Sequence, residues 1–263
     1  MSLIQAIILA IVEGITEFLP ISSTGHIIIA SSIMGIETHD FTKTYTVMIQ
    51  FGAILSVLSL YWKRLLYSRE IYLNLALAFI PTAVLGFLFN DWIDKLLESP
   101  LTVSISLIVG GIVLIFVDKW FKQPIQEPQQ LSMSVLSAVK IGLFQSISMI
   151  PGISRSAASI IGGMVVGLTR KQAAEFSFLL AIPTMLAAAS YKLYKYLQLM
   201  KNSQASLSDA DWTNLIVGNV VAFVVAIIAI KVFVHWLTRY GFKWFGLYRI
   251  LVGVGILSFL LFN

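Results

Sequence analysis

Glu13 and Glu17 lie one helical turn apart inside an apolar N-terminal segment, and the chain then turns at Pro20 into Ile21-Ser22-Ser23-Thr24-Gly25-His26. Residues four apart share a helix face, so the two carboxylates stand side by side. A carboxylate in hydrocarbon is costly, and two of them followed by three hydroxyls and an imidazole mark a working polar site inside a membrane protein. Carboxylate oxygens suit a Mg or Ca ion that bridges to substrate phosphate, and the same pair can act as acid and base. Ser22, Ser23 and Thr24 open the next helix, whose unpaired amides and dipole favour an anion; the plainer reading is that they only cap it. His26, in that helix's first turn, brings acid–base chemistry near neutral pH, against the plainer reading of a satisfied buried histidine. Gly14 leaves room beside the acids for a close backbone or a ligand.

A second polar run reads Pro151-Gly152-Ile153-Ser154-Arg155-Ser156-Ala157-Ala158-Ser159. Arg155 keeps its charge at any accessible pH, so an apolar setting calls for an anionic partner, and its planar fork suits phosphate oxygens. An internal salt bridge to Glu13 or Glu17 is the architectural alternative. Ser154, Ser156 and Ser159 around that helix start repeat a phosphate-cradling arrangement. Gly162 and Gly163 read as close-packing residues. Glu175 either pairs with an arginine or faces the site. Lys140, Lys231 and Arg249 are expected to snorkel to an interface, and His39 and His235 have no convergent partners.

These residues need a membrane-embedded scaffold. The chain is 58% hydrophobic and 12% charged, with a mean hydropathy of +0.88, far outside the soluble range. The first apolar stretch holds both glutamates and runs into the polar motif instead of a cleavage site, so it is expected to be retained. Without cysteine there is no disulfide, thiolate nucleophile or cysteine metal site. The net charge of +5 sits mostly in short loops between apolar segments, which points to topology and membrane lipids and excludes nucleic acid as partner. Apolar stretches at 45–62, 71–89, 101–121, 172–194, 212–236 and 244–262 are each long enough to span a bilayer. Trp62, Trp92, Trp120, Trp212 and Trp236 near their ends read as interface anchors. Residues 2–35 and 134–168 are apolar but interrupted at Pro20 and Pro151-Gly152, as broken half-helices would be. Longer polar loops are expected at 122–131 and 195–211.

A shift of 132 residues places Glu13 on Gln145, Ile21-Ser22 on Ile153-Ser154, Thr24 on Ser156 and Gly35 on Gly167. The expected fold is therefore an all-α polytopic membrane protein, one integral domain over 1–263. It is an inverted-topology tandem repeat, with repeat 1 at about 1–122 and repeat 2 at about 132–263. Each half is a broken re-entrant helix pair plus three transmembrane helices, and an odd number of crossings inverts the second half. Loops on one side carry Lys63, Arg64, Arg69, Lys119, Lys122, Arg170, Lys171, Arg239 and Lys243; the N-terminal side carries only Lys43, Lys95, Lys192, Lys195 and Lys201. The positive-inside rule then puts both termini outside.

The run Glu13-Gly14-Ile15-Thr16-Glu17-Phe18-Leu19-Pro20-Ile21-Ser22-Ser23-Thr24-Gly25-His26, together with Pro151-Gly152-Ile153-Ser154-Arg155-Ser156, strongly resembles the bacterial undecaprenyl-diphosphate phosphatases, also called the bacitracin-resistance protein family. The resemblance covers essentially the whole chain. One departure is Ser156-Ala157-Ala158-Ser159 where the family usually has Ser-Gly-Ala-Thr; Ser159 keeps the last hydroxyl.

The resemblance implies hydrolysis of the terminal phosphate of undecaprenyl diphosphate, which recycles the lipid carrier of cell-wall synthesis, in a multi-pass protein of the bacterial inner membrane whose site opens to the outer face. In that setting Arg155, Ser22, Thr24, Ser154, Ser156 and Ser159 would hold the polyprenyl diphosphate, and Glu13 and Glu17 a divalent cation, Mg or Ca. His26 would activate Ser23 as nucleophile or activate water directly. A polyprenyl-phosphate transporter or flippase is the competing class, since broken helices in inverted repeats are a common transporter plan. The grouping of possible nucleophile, histidine and two acids beside one phosphate anchor favours the enzyme. A homodimer is admitted but not required.

Overall fold

The computed structural model describes residues 1–38, 40–67, 69–97, 99–121, 133–203 and 208–262, so the expectations for His39, Lys122 and the loop 122–131 lie outside the described residues. Every described element is a helix. In chain order these are α1 (Leu3–Thr16), α2 (Ser23–Ile33), α3 (Asp40–Met48), α4 (Gln50–Tyr67), α5 (Arg69–Leu88), α6 (Asn90–Leu97), α7 (Pro100–Trp120), α8 (Val135–Ser146), α9 (Arg155–Val165), α10 (Arg170–Ser203), α11 (Asp209–Tyr240) and α12 (Lys243–Phe262). A single 3-10 turn, Ile147–Met149, follows α8.

Six stretches are long and apolar enough to cross a membrane: Phe41–Leu66, Glu70–Leu88, Pro100–Trp120, Arg170–Gln198, Asp209–Tyr240 and Lys243–Phe262. They contain the six stretches expected from hydropathy, apart from Phe89 and Phe121 at two ends. The breaks are also where expected, between α1 and α2 and between α8 and α9. Two features differ. Within the stretch expected as a polar loop, 195–203 and 209–211 are helical: α10 continues through good helix formers to Ser203, and α11 starts at Asp209, where the cap Ser208 and Asp211 bond reciprocally. The short helix α6 was invisible to a hydropathy scan, because its apolar residues occupy only one face of eight positions.

Lipid provides no hydrophobic drive for helices to associate, so close approach at small residues does much of the work. A Cβ on Gly111 of α7 would meet the Gly246 carbonyl at 2.7 Å, and one on Gly246 of α12 would meet the Gly111 carbonyl at 2.6 Å. Gly14 likewise abuts the Ala222 carbonyl of α11 at 2.9 Å, so its open space holds a neighbouring backbone and not a ligand. Gly162 and Gly163 pack on Phe144 and Ala173 as expected. The tryptophans at the span ends, Trp62, Trp92, Trp120, Trp212 and Trp236, are exposed, which suits interface anchors.

The remaining charged residues divide clearly. Glu175 takes the arginine, pairing with Arg64 at 2.7 Å. Lys140, Lys231 and His235 are exposed. Arg249 corrects the expectation of snorkelling: it is 0% exposed, and its guanidinium turns inward onto backbone carbonyls of α7 and of both breaks. A helix break leaves carbonyls without helical partners, and these compete with the interface for the cation.

Candidate active site

The two breaks share one backbone solution. Ser22 caps α2, its Oγ accepting from the Gly25 amide at 3.5 Å, and Ser154 caps α9, its Oγ accepting from the Ala157 amide at 3.2 Å. Ser22 has φ 70° and ψ 95°, Ser154 φ 77° and ψ 118°, the only positive-φ non-glycine residues among those described. Such conformations cost about 1–3 kcal/mol each, so the surrounding structure must impose them. Ile150, preceding Pro151, is extended as the proline ring requires. Gly152, at φ 94°, nests against the Val103 carbonyl of α7, where a Cβ would come within 2.6 Å.

The breaks meet at Glu17. Its Oε2 accepts a hydrogen bond from Ser23 Oγ at 2.6 Å, and its Oε1 accepts one from Arg155 Nη2 at 3.0 Å. One carboxylate thus joins the first residue of α2 to the first residue of α9. Ser156 adds a second tie, donating to the Leu19 carbonyl at 2.7 Å. Arg155 Nη1 donates to the Ser177 carbonyl at 2.9 Å, and the guanidinium lies over the Phe18 ring at 5.6 Å. The Arg155 Nε and the Glu13 Oε1 are buried with no hydrogen-bond partner. Both orphan atoms belong to residues expected to hold ligands.

The other expected site residues separate by what they touch. Ser22 and Ser154 spend their hydroxyls on the caps, and Ser154 also lies 3.0 Å from Ser156 Oγ. Ser159, fully buried, donates to the Arg155 carbonyl and lies 2.6 Å from Ser177 Oγ, so it tethers α9 to α10. Thr24 is exposed beside the break. His26 does not reach Ser23: its Nδ1–H donates to the Ser22 carbonyl at 2.8 Å, which leaves Nε2 of the neutral ring to accept from the Tyr248 hydroxyl at 2.7 Å. The side chain in contact with Ser23 Oγ is Glu17. Ala157 is buried, and its amide donates to the Ser154 cap.

Phe18, Ser177, Tyr248 and Arg249 were missed as site residues. Tyr248 and Arg249 act across more than 200 residues of sequence on His26 and Pro20, a separation at which no motif can be read. Phe18, which packs edge-on against Phe178 at 5.5 Å, lies within the first motif but reads as core.

Glu17 holds Arg155, and Glu13 is buried one turn before it on α1. Glu13 and Glu17 offer hard oxygens that fit a divalent cation of the Mg or Ca type, and the orphaned Glu13 Oε1 is the atom such an ion would satisfy. Among the described residues no group of three or more His, Cys, Asp or Glu has metal-site spacing.

Six membrane-length helices and two broken pairs, with a hydroxyl, a carboxylate and a guanidinium joined where the breaks touch, define a polytopic membrane protein with a buried polar centre. Within that class, the chain belongs to the bacitracin resistance protein BacA family, which matches residues 6–255. It is 54% identical to an undecaprenyl-diphosphatase of Flavobacterium johnsoniae, over 98% of this chain and 96% of that protein. It is 55% identical to an undecaprenyl-diphosphatase of Flavobacterium psychrophilum, over 98% and 95% of the two chains. A Bdellovibrio bacteriovorus undecaprenyl-diphosphatase is 53% identical over 99% and 97%.

Proposed function

We propose that this chain is a membrane phosphatase that hydrolyses undecaprenyl diphosphate to undecaprenyl phosphate and inorganic phosphate. That activity recycles the lipid carrier for cell-wall synthesis and confers bacitracin resistance. The observation that carries the reading at the level of residues is Glu17 bridging Ser23 and Arg155. Arg155 and the amides that open α9 hold the diphosphate, and the guanidinium offsets charge as the phosphoryl group transfers. Glu17 takes the Ser23 proton as Oγ bonds to the terminal phosphorus and the bond from that phosphorus to the bridging oxygen breaks, with undecaprenyl phosphate as the leaving group. Water then cleaves the phosphoserine. His26, once released by Tyr248, serves as acid or base for that second step. In the rival route water attacks phosphorus directly; the 2.6 Å contact between Ser23 and Glu17 supports the serine. Glu13 and Glu17 would hold a Mg or Ca ion, which would neutralise phosphate charge.

In this reading the two broken pairs are re-entrant and belong to inverted-topology repeats. The site opens to the outer face of the bacterial inner membrane, with both termini outside. Single cysteines at Asp209 and at Lys119, in a chain with none of its own, test the orientation. An impermeant thiol reagent should label the first and not the second in intact cells; the reverse pattern inverts the protein. The activity itself is tested by phosphate release from undecaprenyl diphosphate with purified protein, with and without chelator. Binding of the lipid without phosphate release would favour a transporter instead.

A further inference from the structure

We infer that Arg249 is the positioning residue that holds the two halves of this centre in register. Its guanidinium has five N–H donors, and all five end on backbone carbonyls. Nη1 donates to Pro20 at 3.1 Å and to Ile153 at 2.8 Å. Nη2 donates to Gly152 at 2.7 Å and to Ser106 at 3.1 Å, and Nε to Leu107 at 3.4 Å. One nitrogen therefore spans both breaks, two residues before the cap Ser22 on one side and one residue before the cap Ser154 on the other. Those caps immediately precede Ser23 and Arg155.

Two further observations separate this role from substrate binding and from filler. Arg249 is 0% exposed and has no donor left, so it cannot touch the diphosphate. The helix behind it is carved to admit it: a Cβ on Gly110 of α7 would collide with Arg249 Nη2 and approach Cζ to 2.8 Å. A charge buried without an acidic partner is sustained here by carbonyls that the breaks leave unpaired, and the same bonds orient the peptides from which α2 and α9 begin. Arg155 sits in the second half and Ser23 in the first. Loss of the clamp therefore leaves each half able to bind but misaligned, and a displacement of about 1 Å at a reacting pair costs on the order of 10²-fold in rate.

The inference rests on the phosphatase reading, and three variants test it: Arg249→Lys, Gly110→Ala and Gly255→Ala. Arg249→Lys keeps the charge but cannot span both breaks. Gly110→Ala keeps the guanidinium and displaces it. Gly255→Ala lies on the same helix as Arg249 with nothing within 4 Å of its new methyl, and serves as control. Binding of a methylene-bridged polyprenyl diphosphonate counts competent sites by calorimetry, and phosphate release from undecaprenyl diphosphate gives kcat and KM. The expected result is a kcat per binding-competent molecule lowered at least about ten-fold in Arg249→Lys and Gly110→Ala, KM within about three-fold of the parent, and an unchanged control. Normal kcat per competent site in either variant overturns the inference, because it leaves Arg249 a fold element only. So does a loss of competent sites that accounts for all lost turnover, and so does a raised KM at normal kcat. An unmodified protein that binds the analogue but releases no phosphate counts against the phosphatase reading instead.

Discussion

The two helices that follow the breaks are built alike and equipped differently. α2 and α9 each run for 11 residues, each starts from a serine cap at positive φ, and each ends at a glycine at positive φ, Gly35 or Gly167. Their closing hydrogen bonds also correspond, Ile36 to Ser31 and Leu168 to Gly163, both 3.0 Å. At matched positions 132 residues apart, however, Ser23 faces Arg155, Glu13 faces Gln145, Glu17 faces Met149 and His26 faces Ala158. The hydroxyl, the acids and the imidazole are on one side and the cation on the other. The shared backbone shows that the bend has requirements of its own. The divided side chains show that chemistry arises only where the two bends touch.

The largest effects should come from breaking the division. Ser23→Ala should lower turnover on the order of 10³-fold while substrate binding persists, and a phosphorylated Ser23 peptide should be detectable by mass when breakdown is slowed in His26→Ala. Near-normal turnover in Ser23→Ala would remove the serine from the chemistry and favour a water nucleophile. Arg155→Lys should cost about 10²-fold in kcat/KM, since an ammonium cannot serve Glu17, the Ser177 carbonyl and a phosphate together. Turnover close to that of the parent would leave Arg155 with the salt bridge as its whole role.

Glu13→Gln and Glu17→Gln should each raise the metal concentration needed for half-maximal activity. If the midpoint stays and only the maximum falls, the acids hold no cation. The reverse exchange sharpens the contrast. Gln145 donates to the Thr82 and Thr184 hydroxyls at 3.0 and 3.1 Å, so Gln145→Glu would bury a carboxylate with no neighbouring cation among these partners. Its cost should approach about 3 kcal/mol, read as a lowered unfolding temperature in detergent. An unchanged midpoint would mean that the second break tolerates the first one's chemistry.

The smallest effects probe the shared backbone. Ser22→Gly and Ser154→Gly lose a cap but relieve a positive φ, so each should change stability by no more than about 1 kcal/mol. Alanine at either position keeps the strain and loses the cap, and should be worse than glycine by about 1 kcal/mol. Unequal behaviour of the two serines in thermal unfolding would falsify the idea that both bends face one constraint.

Much of this arrangement could be read from one dimension. Polar residues in an apolar chain stand out, so Glu17, Ser23 and Arg155 were conspicuous before their contacts were seen, and proline before a hydroxyl run marked both breaks. The spans followed from hydropathy because lipid demands length and apolarity together. What escaped had no local signal. Arg249 lies about 9 Å from the start of α12, where an arginine that snorkels and one that turns inward have the same sequence pattern. The positive φ fell on Ser22 and Ser154, although glycine is the residue expected there and Gly152 is close at hand. His26 was read as activating either Ser23 or water, and the contacts its ring makes, with the Ser22 carbonyl and the Tyr248 hydroxyl, had no local signal.

The position of Arg249 in the last of the described helices also bears on how the protein is made. A chain is synthesised from its N-terminus, so α1, α2, α7, α8 and α9 are in place before α12 emerges. Until then the carbonyls of Pro20, Gly152 and Ile153 lack their arginine, and unpaired carbonyls in hydrocarbon cost several kcal/mol each. On the positioning role inferred for Arg249, insertion of α12 is the step that closes the centre, and a truncated chain lacking it would carry Glu13, Glu17, Ser23 and Arg155 without the clamp that aligns them.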